Sequence, residues 1–176
     1  MKGVEGRHPE TAIIIGGMNA PFRVRRADWD RDRDRLRRIR TAVFVEEQRV
    51  PPELEWDGLD QGCLHVLAED DGGTPIGTGR LLPDGHIGRM AVLAAWRRCG
   101  VGSAVLRELL RCAVEQGLGE VVLSAQTHAM GFYARHGFVA EGDAFLDAGI
   151  EHRQMRRTLD QANVHPAGAA DRAAGS

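Results

Sequence analysis

Between residues 86 and 125 the chain reads as strand, glycine-bearing loop, amphipathic helix and strand, and this unit constrains the fold more than any other stretch. The helix is predicted over 101–116. Val101, Val105, Leu109 and Ala113 form one i, i+4 row, and Leu106, Leu110 and Val114 form the next. Gly117 supplies the C-terminal break. Strand patterns flank the helix at 86–93 and 120–125. A strand–helix–strand connection of this kind makes the two strands parallel, with a right-handed crossover.

Upstream the period changes to two. Strands are expected at 64–69 and 76–82, separated by Asp71-Gly72-Gly73, and Pro83-Asp84-Gly85 leads into the strand at 86–93. Gly and Asp tolerate the positive φ of tight turns, so these three strands form an antiparallel meander. Phe22 to Arg25 alternates as a short first strand. A helix capped by Asp28 or Asp30 runs to about Glu47, with Leu36, Ile39, Val43 and Phe44 on one face. Pro51-Pro52 stops it, and 51–62 is an acidic loop with room for one helical turn. A short helix at 129–136 and strands at 137–145 and 151–159 complete the order β-α-β-β-β-α-β-α-β-β. The expected fold is α/β (α+β), a mixed central sheet with helices on both faces.

A chain of 176 residues suits one domain with a substantial core. We place that domain at 21–160, between tails at 1–20 and 161–176 that lack an apolar period. The apolar run at 12–15, closed by Gly16-Gly17, is too short for a membrane span or a signal-peptide core. A formal net charge of −2 gives no footprint for nucleic acid or membrane. Cys63, Cys99 and Cys112 are odd in number and lack metal-ligand spacing, which fits a reduced, cytoplasmic setting without a metal.

The chemistry-bearing segment is Arg97-Arg98-Cys99-Gly100-Val101-Gly102-Ser103, between strand and helix. The first amides of a helix have no internal partner and sit at the positive end of its dipole, so they bind anions. Gly100 and Gly102 let a phosphate approach the backbone, and Arg97 and Arg98 add charge. No Gly-Lys-Ser/Thr follows, so this is not a nucleoside-triphosphate P-loop. A third glycine is missing and the upstream hairpins contradict a dinucleotide fold.

The pattern Arg-x-x-Gly-x-Gly at 97–102 resembles the coenzyme A signature of the GNAT superfamily of N-acetyltransferases. Arg89-Met90-Ala91-Val92 resembles that superfamily's splayed fourth strand, and Phe132-Tyr133-x-x-x-Gly137-Phe138 its second motif. The stretches at 43–48 and 124–133 further resemble the ElaA-like branch. The resemblance implies that acetyl-CoA is the acyl donor, with its pantetheine arm against the amides of Met90, Ala91 and Val92 and its pyrophosphate on 97–103. Gln126 stands where many members carry a CoA-contacting Asn. Tyr133 would protonate the departing thiolate, and a primary amine of a small-molecule or peptide acceptor would attack directly. Relatives are often homodimers. The chain departs from the common pattern at Ala94, at Arg98 in a usual glycine position, and at Cys99 in place of a basic residue.

Several residues keep two readings. Tyr133, the only tyrosine, is either the acid or a packed aromatic. Glu46 and Glu47, at an unfavourable end of the helix dipole, either meet the acceptor amine, with Glu47 as the candidate base, or form a solvated acidic face. Asp57 and Asp60 either add to this acidity, which together suggests a cationic or amine acceptor, or form a solvated acidic face. His65 is either a base acting through water or a structural strand histidine; His86 and His128 also lie near the expected cleft. Arg80 either binds an acceptor carboxylate or pairs with Glu46 or Glu47. Two rival functions share the core: synthesis of acyl-homoserine lactones from an acyl-carrier protein, and a CoA-binding sensor without turnover.

Overall fold

The computed structural model of the protein describes residues 21–160. The segments expected as tails lie outside the described residues. The elements are β1 (Phe22–Ala27), α1 (Trp29–Arg40), α2 (Pro52–Glu55), β2 (Leu64–Asp70), β3 (Pro75–Leu81), β4 (Ile87–Val92), α3 (Val101–Glu115), β5 (Glu120–Gln126), α4 (Met130–Arg135), β6 (Val139–Asp147) and β7 (Ile150–Thr158). The order is the expected one, with α2 as the single turn in the acidic loop.

Helix α1 follows its sequence signals. Asp28 accepts a hydrogen bond from the Arg31 amide at 3.0 Å, acidic residues occupy the first turn and basic ones the last. From Thr41 to Glu47 the chain stays helical, but with π-type hydrogen bonding: the Gln48 amide donates to the Val43 carbonyl, five residues back. The uniform α-helix expected as far as Glu47 is therefore corrected. The wider turn buries Val43 and brings Phe44, Glu47 and Gln48 to the cleft described below.

Strands β1 to β4 form one antiparallel sheet in chain order, and β5, β7 and β6 form a second. Among the described residues the sheets join at a single parallel bridge, His86 to Val122, where the Val122 amide donates to the Gly85 carbonyl at 3.1 Å. The parallel relation expected from the strand–helix–strand unit is present there. Past the bridge, β4 and β5 separate into a wedge.

Helix α3 covers one face of the first sheet. Val101, Val105, Leu106 and Leu109 pack with Val66, Ala68 and Ile76. Its close approach requires glycine in β3: a Cβ on Gly77 would stand 2.7 Å from Val101 Cγ1, and one on Gly79 would stand 2.8 Å from Leu109 Cδ1. On the opposite face Leu36, Ile39 and Val43 pack on Leu67 and Ala91. Helices thus lie on both faces.

Candidate active site

The wedge between β4 and β5 opens into a cleft of about 700 Å³, bounded by the π-helical segment, α4 and the β6–β7 turn. Its floor is shaped by an irregularity in β4. Arg80 pairs with Gly88 and Thr78 with Ala91, so Arg89 and Met90 together oppose Gly79. This is a β-bulge, and Arg89 occupies it with φ +51°. Beyond it, the Leu93 amide donates to the Ile76 carbonyl. Antiparallel strands alternate the edge to which successive residues bond. The peptide groups of Val92 therefore face away from β3, toward the wedge, whereas those of Ala91 face β3, so the expected contact of a donor with the Ala91 amide is corrected. The Val92 carbonyl accepts from Arg97 Nε at 3.0 Å, as that geometry requires.

The loop at 97–103 enters α3 at Gly100, whose φ is +83°. Arg98 lies at φ +61°, a left-handed angle at the position where the resembled pattern has glycine. The side chain of Val101 is buried, so at that residue only the backbone can meet a ligand. Space at Gly102 is open: a Cβ there would make only ordinary contacts, 3.6 Å from Phe132 Cζ and 3.7 Å from Val92 Cγ2. The Ser103 hydroxyl is bonded to His136 Nε2 at 3.0 Å, and Cys99 Sγ bonds to the Arg97 carbonyl at 3.4 Å.

Arg97 and Glu47 meet as a fork, with Nη1–Oε1 and Nη2–Oε2 both 2.7 Å. The hydrogen bonds from Arg97 hold the Glu47 carboxyl below its ordinary range. A carboxylate so held is a poor proton acceptor. Gln126 Nε2 donates to Gln48 Oε1 at 2.9 Å, which ties the end of β5 to the π-helical segment. Tyr133 lines the cleft from α4, its ring edge-on to Phe132 at 5.0 Å and to Phe138 at 5.9 Å. Burial pushes its hydroxyl up to about 12.

The acidic loop is spent internally. Buried Arg40 bonds to Glu55 Oε1 at 2.5 Å and to Asp60 Oδ1 at 2.6 Å. Arg80 Nη1 bonds to Asp60 at 2.8 Å and to Asp57 at 3.0 Å. Arg89 Nε reaches Glu55 Oε2 at 2.9 Å. Three arginines thus balance three carboxylates, so the charges of Asp57 and Asp60 are already paired within the fold. Arg80 does line the cleft, yet it pairs with Asp57 and Asp60 and not with Glu46 or Glu47; its Nε is buried without a partner.

Two further expectations are corrected. His65 is 1% exposed, stacked on Trp29 at 4.9 Å, with Nε2 bonded to the Asp60 carbonyl at 2.8 Å. It is a core histidine, away from the cleft. Glu46 is exposed and does not line the cleft, because the π-type turn presents Glu47 there instead. Met90, Ala91, Val92, Arg97, Gln126, Tyr133 and Glu47 are brought together, and His86 and His128 reach the cleft wall. Sequence reasoning missed the bulge at Arg89, the buried Arg40 and the cleft-lining His152 on β7. In β7 only His152 and Met155 are buried, a spacing of three that breaks the strand period and hid the histidine.

Residues 34–159 match the family described as the acetyltransferase (GNAT) domain. The chain belongs to the GNAT acetyltransferase family. It is 41% identical, over 68% of its length and 87% of the relative, to a Bacillus subtilis protein described as the uncharacterized N-acetyltransferase YjcF. Among solved structures, this GNAT chain resembles an acyl-CoA N-acyltransferase from Pseudomonas aeruginosa with a TM-score of 0.69 and 34% identity, covering 77% of this chain and 99% of the other. Escherichia coli ElaA matches at a TM-score of 0.69 and 26% identity, with the same coverage. Among the described residues, no helix is long and apolar enough to cross a membrane.

Proposed function

We propose that the chain transfers an acetyl group from acetyl-CoA to a primary amine of a small molecule or peptide, by direct attack while both substrates are bound. The observation that carries this reading is the Val92 peptide edge, turned into a wedge whose wall holds Tyr133 and Arg97, the first residue of the loop at 97–103. A phosphate-bearing thioester fits these residues. The open left-handed Gly100 and the roomy Gly102 leave the first amides of α3 accessible, and Arg97 already holds an anion, the carboxylate of Glu47. Met90, Val92, Gln126 and the 97–103 loop would hold the donor.

The Val92 amide would polarise the thioester carbonyl; a donor of this type contributes roughly 3 kcal/mol to lowering a barrier. Tyr133 is protonated at neutral pH and would give its proton to the leaving sulfur. Three free cysteines agree with a cytoplasmic location. The test is calorimetry with acetyl-CoA, CoA and ATP on the wild type and on Gly102→Trp, with circular dichroism to verify folding, followed by an amine-library assay. Binding of acetyl-CoA but not ATP, lost in the variant, and turnover with an amine support the proposal. Failure to bind either CoA form overturns it, and binding without turnover on any amine points to a sensor.

A further inference from the structure

We infer that His152 is the general base that deprotonates the acceptor amine, acting through Nε2; this rests on the acyltransferase reading above. His152 Nδ1 lies 2.8 Å from the Ile150 carbonyl. A carbonyl oxygen only accepts, so Nδ1 must carry the proton, and in the neutral ring the lone pair then belongs to Nε2. Among the described residues Nε2 has no hydrogen-bond partner. The ring stacks on Phe145 at 6.0 Å and 22°, which fixes its plane, and the residue is 9% exposed while lining the cleft. Its strand neighbour in β5 is Gln126, at the end of the wedge. A base oriented by its second nitrogen and open at its first is what proton abstraction requires.

The other ionisable groups of the cleft are less suited. Glu47 is forked to Arg97, and Glu55 is enclosed by Arg40 and Arg89. His86 pairs with Asp84 at 3.0 Å, while His128 and Asp147 are exposed on the rim. Beside His152 on β7, Glu151 bonds to the Thr127 hydroxyl and Arg153 to the Gly142 carbonyl. The titratable and charged groups sharing the cleft with the imidazole are therefore Asp147, His128, His86 beside Asp84, the Glu47–Arg97 fork, and Arg80 and Arg89 with their carboxylates; Tyr133 faces the same space unionised.

In the reaction the amine nitrogen forms its bond to the carbonyl carbon as one of its protons passes to His152 Nε2. The carbon–sulfur bond breaks, and the sulfur takes a proton from Tyr133. Solvent then returns one proton from the imidazolium and one to the phenolate, leaving amide and thiol.

The test is the pH dependence of kcat/KM for the amine in wild type and His152→Gln, with acetyl-CoA affinity by calorimetry alongside. The wild type should lose activity on an acidic limb as the imidazole protonates. His152→Gln should bind acetyl-CoA as the wild type does, be slower by about 10²-fold at neutral pH, and lack the acidic limb. A variant that keeps the wild-type rate and acidic limb overturns the inference, as does one that loses acetyl-CoA binding together with rate. Should the variant not fold, nitrogen NMR of the wild type decides: a His152 ring protonated at Nδ1 that titrates with the limb supports the assignment, and one protonated at Nε2 or silent across the limb overturns it. A wild type that neither binds acetyl-CoA nor turns over sinks the acyltransferase reading itself, a different outcome from any of these.

Discussion

Tyr133 touches Phe132 and Phe138, and burial keeps its hydroxyl protonated up to about pH 12. Removing that hydroxyl leaves the packing and takes away the proton. Tyr133→Phe should therefore lower kcat by about 10²–10⁴-fold with little change in acetyl-CoA affinity, measured by steady-state kinetics and calorimetry. Glu47 has the opposite relation to the donor. Its carboxylate occupies the Arg97 fork that a phosphate would use, so Glu47→Gln should tighten acetyl-CoA binding by up to about fivefold at low salt, matching the ~1 kcal/mol ceiling for an exposed pair. Weaker binding in the variant would show that Glu47 orients Arg97 for the ligand. Arg97 in its loop was legible in the sequence because arginine beside a glycine-softened helix start has one obvious chemistry. Its partner was not, since Glu47 and Arg97 are fifty residues apart and meet only through the fold.

Helix α3 and strand β3 are matched through the absence of side chains. Placing Ala at Gly79 puts its Cβ 2.8 Å from Leu109 and 3.2 Å from both Met90 and Val105, so neighbours in the core and in the bulge must move together. Gly79→Ala should cost about 1–3 kcal/mol in denaturant unfolding and lower kcat as well, because Met90 belongs to the bulge that turns β4. Turn residues and the rows of α3 made the meander and the crossover readable in advance. The bulge was not readable: one additional residue in β4 leaves local composition unchanged. The π-type segment after α1 was hidden likewise, since an apolar stripe over 36–44 suits either helical pitch.

At the scale of the fold, the described residues carry two buried charge networks, one around Arg40 and Arg80 and one in which Glu69, fully buried, meets Arg23 and Arg25. Burial alone would raise these carboxyls, but their arginines outweigh it for Asp60, Glu69 and Asp57, the last held down at about 2; Asp32 is lowered chiefly by its bond to Arg25. A carboxyl with a depressed folded pKa stabilises the fold above its unfolded value, near 4, and loses that contribution as pH falls through the folded value. Glu55, pushed up by its burial, works in the other sense, its penalty relieved in acid. Four lowered groups against one raised group give the net sign: the thermal midpoint should hold near neutrality and fall between about pH 4 and 2. A midpoint unchanged across that window would contradict the networks' protonation states.

Among the described residues one parallel bridge, at His86 and Val122, carries the backbone connection between the two sheets. The molecule is thus built like tongs, each arm stiffened by its own ladder, with Met90 on one arm and Gln126 on the other lining the gape. If the cleft takes an acyl donor as proposed, exchanging what lines the arms should change the acyl length it accepts, while the pairing of Ala91 and Leu93 with β3 holds the intervening Val92 amide where it is.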